Sequence, residues 1–208
     1  MIRSSPSLPY SAIVFDFGGV LLEWDPRNLY RRYFSDDQMM EDFLEEIRFN
    51  EWNAQQDRGR PFAEGIADLS SRFPHHARMI QLFYQEWIHT IRGPIDETIA
   101  ILYQVKQAGW PVFGLSNWSC ETFPLVREKY SFFNILDSYL LSCEVKLVKP
   151  DPAIYRAFLR KIDREADECI YIDDSIVNIT SASKLGFKAI HYKDSKQLER
   201  ELEEINVL

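Results

Sequence analysis

The sequence predicts an α/β fold: a parallel sheet flanked by helices, with a helical segment inserted after the first strand. Three observations carry this. Short, wholly apolar runs alternate with longer amphipathic stretches, the pattern of strands buried on both faces between covering helices. Three of those runs stop at polar residues: Asp16, Ser116-Asn117 and Asp173-Asp174. Between the first and second runs, from about Arg27 to Gly93, no strand-like run occurs.

Ala12-Ile13-Val14-Phe15 is too continuously apolar for a half-exposed strand, and Asp16 and Gly18-Gly19 cut it off, so it reads as a central buried strand. After it, DDQMMEDFLEEIRFNEW and HHARMIQLFYQEWIHTI carry apolar residues at helical spacing, with breaks at Arg58-Gly59-Arg60-Pro61 and Phe73-Pro74. The sheet pattern resumes with a helix over 96–107. Its apolar stripe is Ile99, Ile101, Leu102 and Val105, and Gly109 stops it. The strand Pro111–Leu115 follows. Cys169-Ile170-Tyr171-Ile172 is a third buried strand. A helix over 176–185, a stop at Gly186 and a strand over 188–191 complete another unit, and 195–205 reads as a polar, amphipathic last helix.

Composition narrows the function. Of 208 residues, 46% are apolar, enough to bury a substantial core and to exclude disorder for most of the chain. With 24 basic against 32 acidic residues, a net charge of -8 and no Lys/Arg run, nucleic acid is excluded as the main partner. No apolar run is long enough to cross a bilayer, and the opening MIRSSPSLPYS has no apolar stretch of signal length. A cytoplasmic protein without a membrane partner is expected. Cys120, Cys143 and Cys169 are widely separated and lack C-x-x-C spacing, so buried reduced thiols are expected. His75, His76, His89 and His191 lack paired ligand spacing and read as surface or structural residues.

In open α/β sheets ligands bind outside the carboxyl ends of the strands, so Asp16, Ser116-Asn117 and Asp173-Asp174 should share one crevice. Three carboxylates there would repel one another unless protons or a cation relieve them. An oxygen-only set suits magnesium, which joins phosphates. Gly18-Gly19 lets backbone amides turn toward an anion, Ser116-Asn117 adds polar donors, and Lys149, before Pro150 in VKPDPAIY, adds a compact cation. Together these form a phosphate cradle with a carboxylate floor.

The strings IVFDFGGVLLEWDP, VFGLSNW, KLVKPDPAIY and YIDDSIVNITSASKLGF resemble the four ordered motifs of the haloacid dehalogenase-like hydrolase superfamily. The helical insertion resembles its α-helical cap, and the chain looks closest to sugar-phosphate phosphatases and 2-haloacid dehalogenases. The resemblance implies a Rossmann-like core over 1–20 and 94–208 with a cap over 21–93. It implies that Asp16 is the nucleophile forming a phosphoaspartyl intermediate, and that magnesium is held by Asp16, the Gly18 carbonyl and Asp174, with Asp173 as ligand or support. Ser116 and Asn117 would hold phosphoryl oxygens with Gly18 and Gly19 nearby, Lys149 would offset charge, and Asn178 would orient the last loop.

One position departs from the family pattern. Phosphatases of the superfamily usually carry an Asp two residues after the nucleophile, as acid and base; here it is Gly18. A leaving group needing little protonation would compensate, or Glu23, Asp25 or a cap residue would substitute. Trp24 and Trp118, directly after motifs, are expected to line the pocket; Trp52 and Trp87 are expected in the core. Lys146 reads as a solvated neighbour of Lys149. The function expected is magnesium-dependent hydrolysis of a small phosphorylated metabolite, a sugar phosphate in the first instance. The rivals are a metal-independent 2-haloacid dehalogenase and a catalytically weak ligand-binding or regulatory protein.

Overall fold

The computed structural model describes residues 10–208; residues 1–9, most of the opening read as lacking an apolar stretch of signal length, lie outside them. In chain order the elements are β1 (Ala12–Phe15), β2 (Leu22–Trp24), α1 (Pro26–Tyr30), α2 (Asp37–Glu46), α3 (Phe49–Asp57), α4 (Phe62–Arg72), α5 (Ala77–Gln85), β3 (Ile91–Pro94), α6 (Asp96–Gln107), β4 (Val112–Ser116) and α7 (Phe123–Lys129). They continue with β5 (Ser138–Leu141), α8 (Ser142–Val145), α9 (Pro152–Ile162), β6 (Cys169–Asp173), α10 (Ile176–Lys184), β7 (Lys188–His191) and α11 (Ser195–Glu204).

Five strands form a parallel sheet in the order β5-β4-β1-β6-β7. β1 is its middle strand and all four of its residues are fully buried, as a wholly apolar run between two layers demands. The chain adds strands on one side of β1, then crosses to the other, so the switch in strand order falls where β4, β1 and β6 end. On one sheet face Ile13, Phe15, Ile170 and Ile172 pack in a cluster that runs on into the helical segment through Tyr30, Phe43, Phe62 and Phe83. On the other, Val14, Leu115 and Tyr171 pack against Ile154, Tyr155 and Phe158 of α9.

The structure amends the sequence reading in three places. The helical segment leaves and returns through a short antiparallel ribbon, β2 with β3, pairing Leu22 with Pro94 and Trp24 with Ile91. Strand β3 lies in a stretch read as free of strands, because four residues containing Gly93 and Pro94 carry no alternating pattern. Edge strand β5 was likewise not expected; Ser138-Tyr139-Leu140-Leu141 is short and half-covered. Third, Cys120 and Cys143, expected as reduced thiols, form a disulfide, with Cα atoms 5.7 Å apart. The loop after β4 and helix α8 are neighbours only because β4 pairs with β5. Cys169 is free and buried.

Candidate active site

The floor of the site lies at the carboxyl ends of β1, β4 and β6. Asp16 follows β1 directly; its main-chain N–H donates to the Ile172 carbonyl across the β1–β6 seam at 2.9 Å. One carboxylate oxygen accepts from the Phe17 N–H at 2.7 Å and the other faces Lys149 Nζ at 2.9 Å. The ammonium also donates to Asp173 Oδ2 at 2.7 Å and to the Leu115 carbonyl at 3.0 Å, so its three protons have three acceptors. Burial draws the pKa of that ammonium down, but the ion pairs with Asp16 and Asp173 outweigh it and hold Lys149 above the ordinary lysine range.

Asp173 is fully buried and both its oxygens are taken. Oδ1 accepts from the Ser175 N–H at 2.8 Å and Asn178 Nδ2 at 3.0 Å, while Oδ2 accepts from Lys149 and from the Tyr171 hydroxyl. Burial would raise its pKa; Lys149 and these donors hold it below the usual carboxylate value. Asp174 points the other way and is exposed. Gly19 has a φ of +77°, a conformation that favours glycine, and a Cβ built on it would fall 2.2 Å from Asp174 Oδ2, so a side chain there would displace the carboxylate above the turn. Partial desolvation of its carboxyl in the cleft and the neighbouring Asp173 push Asp174 upward, and burial pushes Asp16 upward against the pull of Lys149. Two carboxylates lifted by burial and mutual repulsion are a cation-seeking pair.

Oxygens of Asp16, Asp173 and Asp174 lie within 4.8 Å of one another, and the donor set is oxygen alone, which fits a magnesium ion. Because Asp173 is saturated by protein donors, Asp16 and Asp174 are the carboxylates that would hold it, and the Gly18 carbonyl is the further ligand that the resemblance implies.

Above the floor opens a cleft of about 610 Å³. The core contributes Ser116, Asn117, Trp118 and Ser119; the helical segment contributes Asn50, Asn53, Ala54, Asp57, Phe62 and Trp87, and the ribbon Trp24. Ser116 ends β4 and is buried. Asn117 and Lys149 clasp each other: Asn117 Nδ2 donates to the Lys149 carbonyl at 3.0 Å and the Lys149 N–H donates to Asn117 Oδ1 at 2.8 Å. The Asn117 side chain, expected to meet phosphoryl oxygens, instead sets the backbone that carries Lys149.

The haloacid dehalogenase-like hydrolase family model matches residues 10–186. The chain belongs to that family. Among relatives of this hydrolase is the sesquiterpene phosphatase astK of Aspergillus oryzae, 27% identical over 187 residues, covering 89% of this chain and 91% of the relative. Another is the (S)-2-haloacid dehalogenase 4A of Burkholderia cepacia, 28% identical over 89 residues, 43% of this chain and 38% of the relative. The fold matches that of a haloacid dehalogenase-family enzyme of Bacteroides thetaiotaomicron in complex with magnesium and inorganic phosphate. Its TM-score is 0.67 at 23% identity, covering 89% of this chain and 95% of that one.

Asp16, Gly18, Gly19, Ser116, Asn117, Lys149 and Asp174 meet in the cleft of this haloacid dehalogenase-like hydrolase, while Asp173 lies beneath it, joined through Lys149. Trp24 and Trp118 line the cleft; so does Trp87, expected only in the core, whereas Trp52 is buried and donates to the Gly65 carbonyl. Lys146 is exposed. Cys120 is not among the lining residues. Sequence reasoning missed Asp57, at the end of α3. Burial and the charge of Asp16 push its carboxyl up to about 7 despite Lys149. No local signal marks it, since Gln-Gln-Asp-Arg-Gly reads as any polar helix end.

Proposed function

We infer that the chain is a magnesium-dependent phosphomonoesterase that works through a phosphoaspartyl intermediate on Asp16. The observation that carries this reading is the Asp16–Lys149–Asp173 triad with Asp174 free beside it. Asp16 is held by one N–H and one ammonium, which fixes the direction of its attack on phosphorus. Lys149 draws the Asp16 carboxyl toward its ionised form against the effect of burial and balances charge gathered on the phosphoryl oxygens. Ser116 and the backbone amides of Gly18 and Asn117 serve as phosphoryl donors. When bound, magnesium would offset the repulsion between the carboxylates and the incoming phosphate. Residues 21–93 act as a cap that covers the cleft and excludes water.

The substrate class proposed is a monophosphate with a hydrocarbon body. Trp24, Phe62, Trp87, Trp118 and Ala54 give the cleft an apolar wall, and a relative that covers 89% of the chain is named a sesquiterpene phosphatase. A sugar phosphate is the second class, favoured by Asn50, Asn53 and Arg27 on the same wall. A haloacid dehalogenase would need neither Asp174 at the cleft nor the glycine beneath it.

The experiment is a turnover panel of a sesquiterpenyl monophosphate, sugar 1- and 6-phosphates and a 2-haloacid, with magnesium and with chelator. The expected result is phosphate release only with magnesium and highest kcat/KM on the terpenyl ester. Haloacid turnover that survives chelation would overturn the reading; preference for a sugar ester would overturn the substrate class alone.

A further inference from the structure

We propose that Asp57, carried on α3 into the same cleft as Asp16, is the general acid and base that takes the place of the residue absent at Gly18. The inference rests on the phosphomonoesterase reading above.

A side chain at position 18 would grow into an apolar corner: a Cβ built on Gly18 lies 3.7 Å from Trp24 Cβ and 4.0 Å from Trp118 Cζ3. An acid there would sit against two tryptophans. Among the described residues, the carboxylates lining the cleft are Asp16, Asp25, Asp57 and Asp174. Asp16 and Asp174 form the floor. Asp25 is committed to α1, where it accepts from the Arg27 N–H at 2.9 Å and pairs with the Arg27 guanidinium at 3.3 Å. Glu23 is not among the lining residues and faces Arg92 at 3.8 Å on the exposed surface. Asp57 remains.

Its position is built rather than incidental. One carboxylate oxygen accepts from Asn53 Nδ2 at 3.1 Å, one helical turn earlier. Its main-chain carbonyl accepts from Ser142 Oγ at 2.5 Å, and Ser142 Oγ accepts from the Trp118 N–H at 2.9 Å. A single hydroxyl thus ties the backbone of Asp57 to the loop that carries Ser116 and Asn117. Burial and the charge of Asp16 push the Asp57 carboxyl upward while Lys149 pulls the other way, the direction that suits a group serving as acid and then base.

In the first step an Asp16 oxygen bonds to phosphorus as the phosphorus–oxygen bond to the alcohol breaks, and the Asp57 carboxyl gives its proton to the departing oxygen. In the second, water attacks phosphorus, its proton passes to the Asp57 carboxylate, and the bond to Asp16 breaks, releasing phosphate and restoring both aspartates.

The test compares wild type with Asp57→Asn on hexyl phosphate and 4-nitrophenyl phosphate, magnesium present. The alkyl ester needs a proton on its leaving oxygen; the aryl ester does not. The expected result for Asp57→Asn is a kcat on hexyl phosphate lower by about 10²–10⁴-fold, with 4-nitrophenolate released in a burst stoichiometric with active sites. Slow turnover follows, because the phosphoaspartate has lost its base. Full turnover of hexyl phosphate by the variant, or an equal loss on both esters without a burst, overturns the proposal. Should Asp57→Asn fail to fold, Asp57→Ser is read by the same split. A wild type inactive on both esters would instead sink the phosphomonoesterase reading.

Discussion

Lys149 is the residue on which the floor of the site turns. A fully paired buried ion tolerates its desolvation only while each partner is present. Lys149→Met leaves Asp16 and Asp173 as uncompensated buried charges and is expected to lower stability by about 3–5 kcal/mol in urea titrations. Lys146→Met, three residues away and exposed, should stay within about 0.5 kcal/mol. Asp57 gives a pH signature of the opposite kind. Its folded-state pKa of about 7 exceeds its ordinary value of 3.8, so the folded state holds the proton more tightly. The stability it contributes is complete below about pH 4 and is lost as pH rises through 7. Asp57→Asn should therefore gain melting temperature relative to wild type at pH 8 and not at pH 4; an equal difference at both would refute the shift. Asp16, Lys149 and Asp173 were legible in the sequence because each follows an apolar run or precedes a proline. Asp57 was not, because its meaning comes from a helix end tied to Ser142 far along the chain.

At the scale of elements, the register of β4 against β1 and β5 depends on Gly114. A Cβ there would fall 2.3 Å from the Phe17 ring and 3.1 Å from Tyr139 Cβ. Gly114→Ala is therefore expected to cost about 1–3 kcal/mol by chemical denaturation and to disturb Phe17, the residue next to the nucleophile. The Cys120–Cys143 bridge pins the loop after β4 to α8, the same pair that holds Asp57. Replacing both cysteines with serine should lower stability by about 3 kcal/mol in the chain-entropy account of a loop this long; no change in the denaturation midpoint would contradict it. The buried strands β1, β4 and β6 were readable because continuous apolar runs have few other uses. β3 and β5 were not, since partly covered strands at a rim or edge owe their form to their partners. The disulfide was hidden for the same reason, being a product of the β4–β5 pairing.

For the whole molecule, the sheet supplies an anchored set of charges and the segment over 21–93 supplies the wall above it, with the two in contact where the Phe62 N–H donates to Glu121 at 2.8 Å and Ser142 meets Asp57. Among the described residues no helix is long and apolar enough to cross a membrane, and Trp24, Phe62, Trp87 and Trp118 stand on the wall of the cleft. The account as a whole stands on Asp16 accepting a phosphoryl group. Acid quench during turnover of 4-nitrophenyl phosphate with magnesium, followed by proteolysis and mass spectrometry, reads this directly. The account predicts the mass of one phosphoryl group on the peptide containing Asp16, absent in Asp16→Asn; steady turnover with that peptide unmodified, or with the label on another residue, would contradict it.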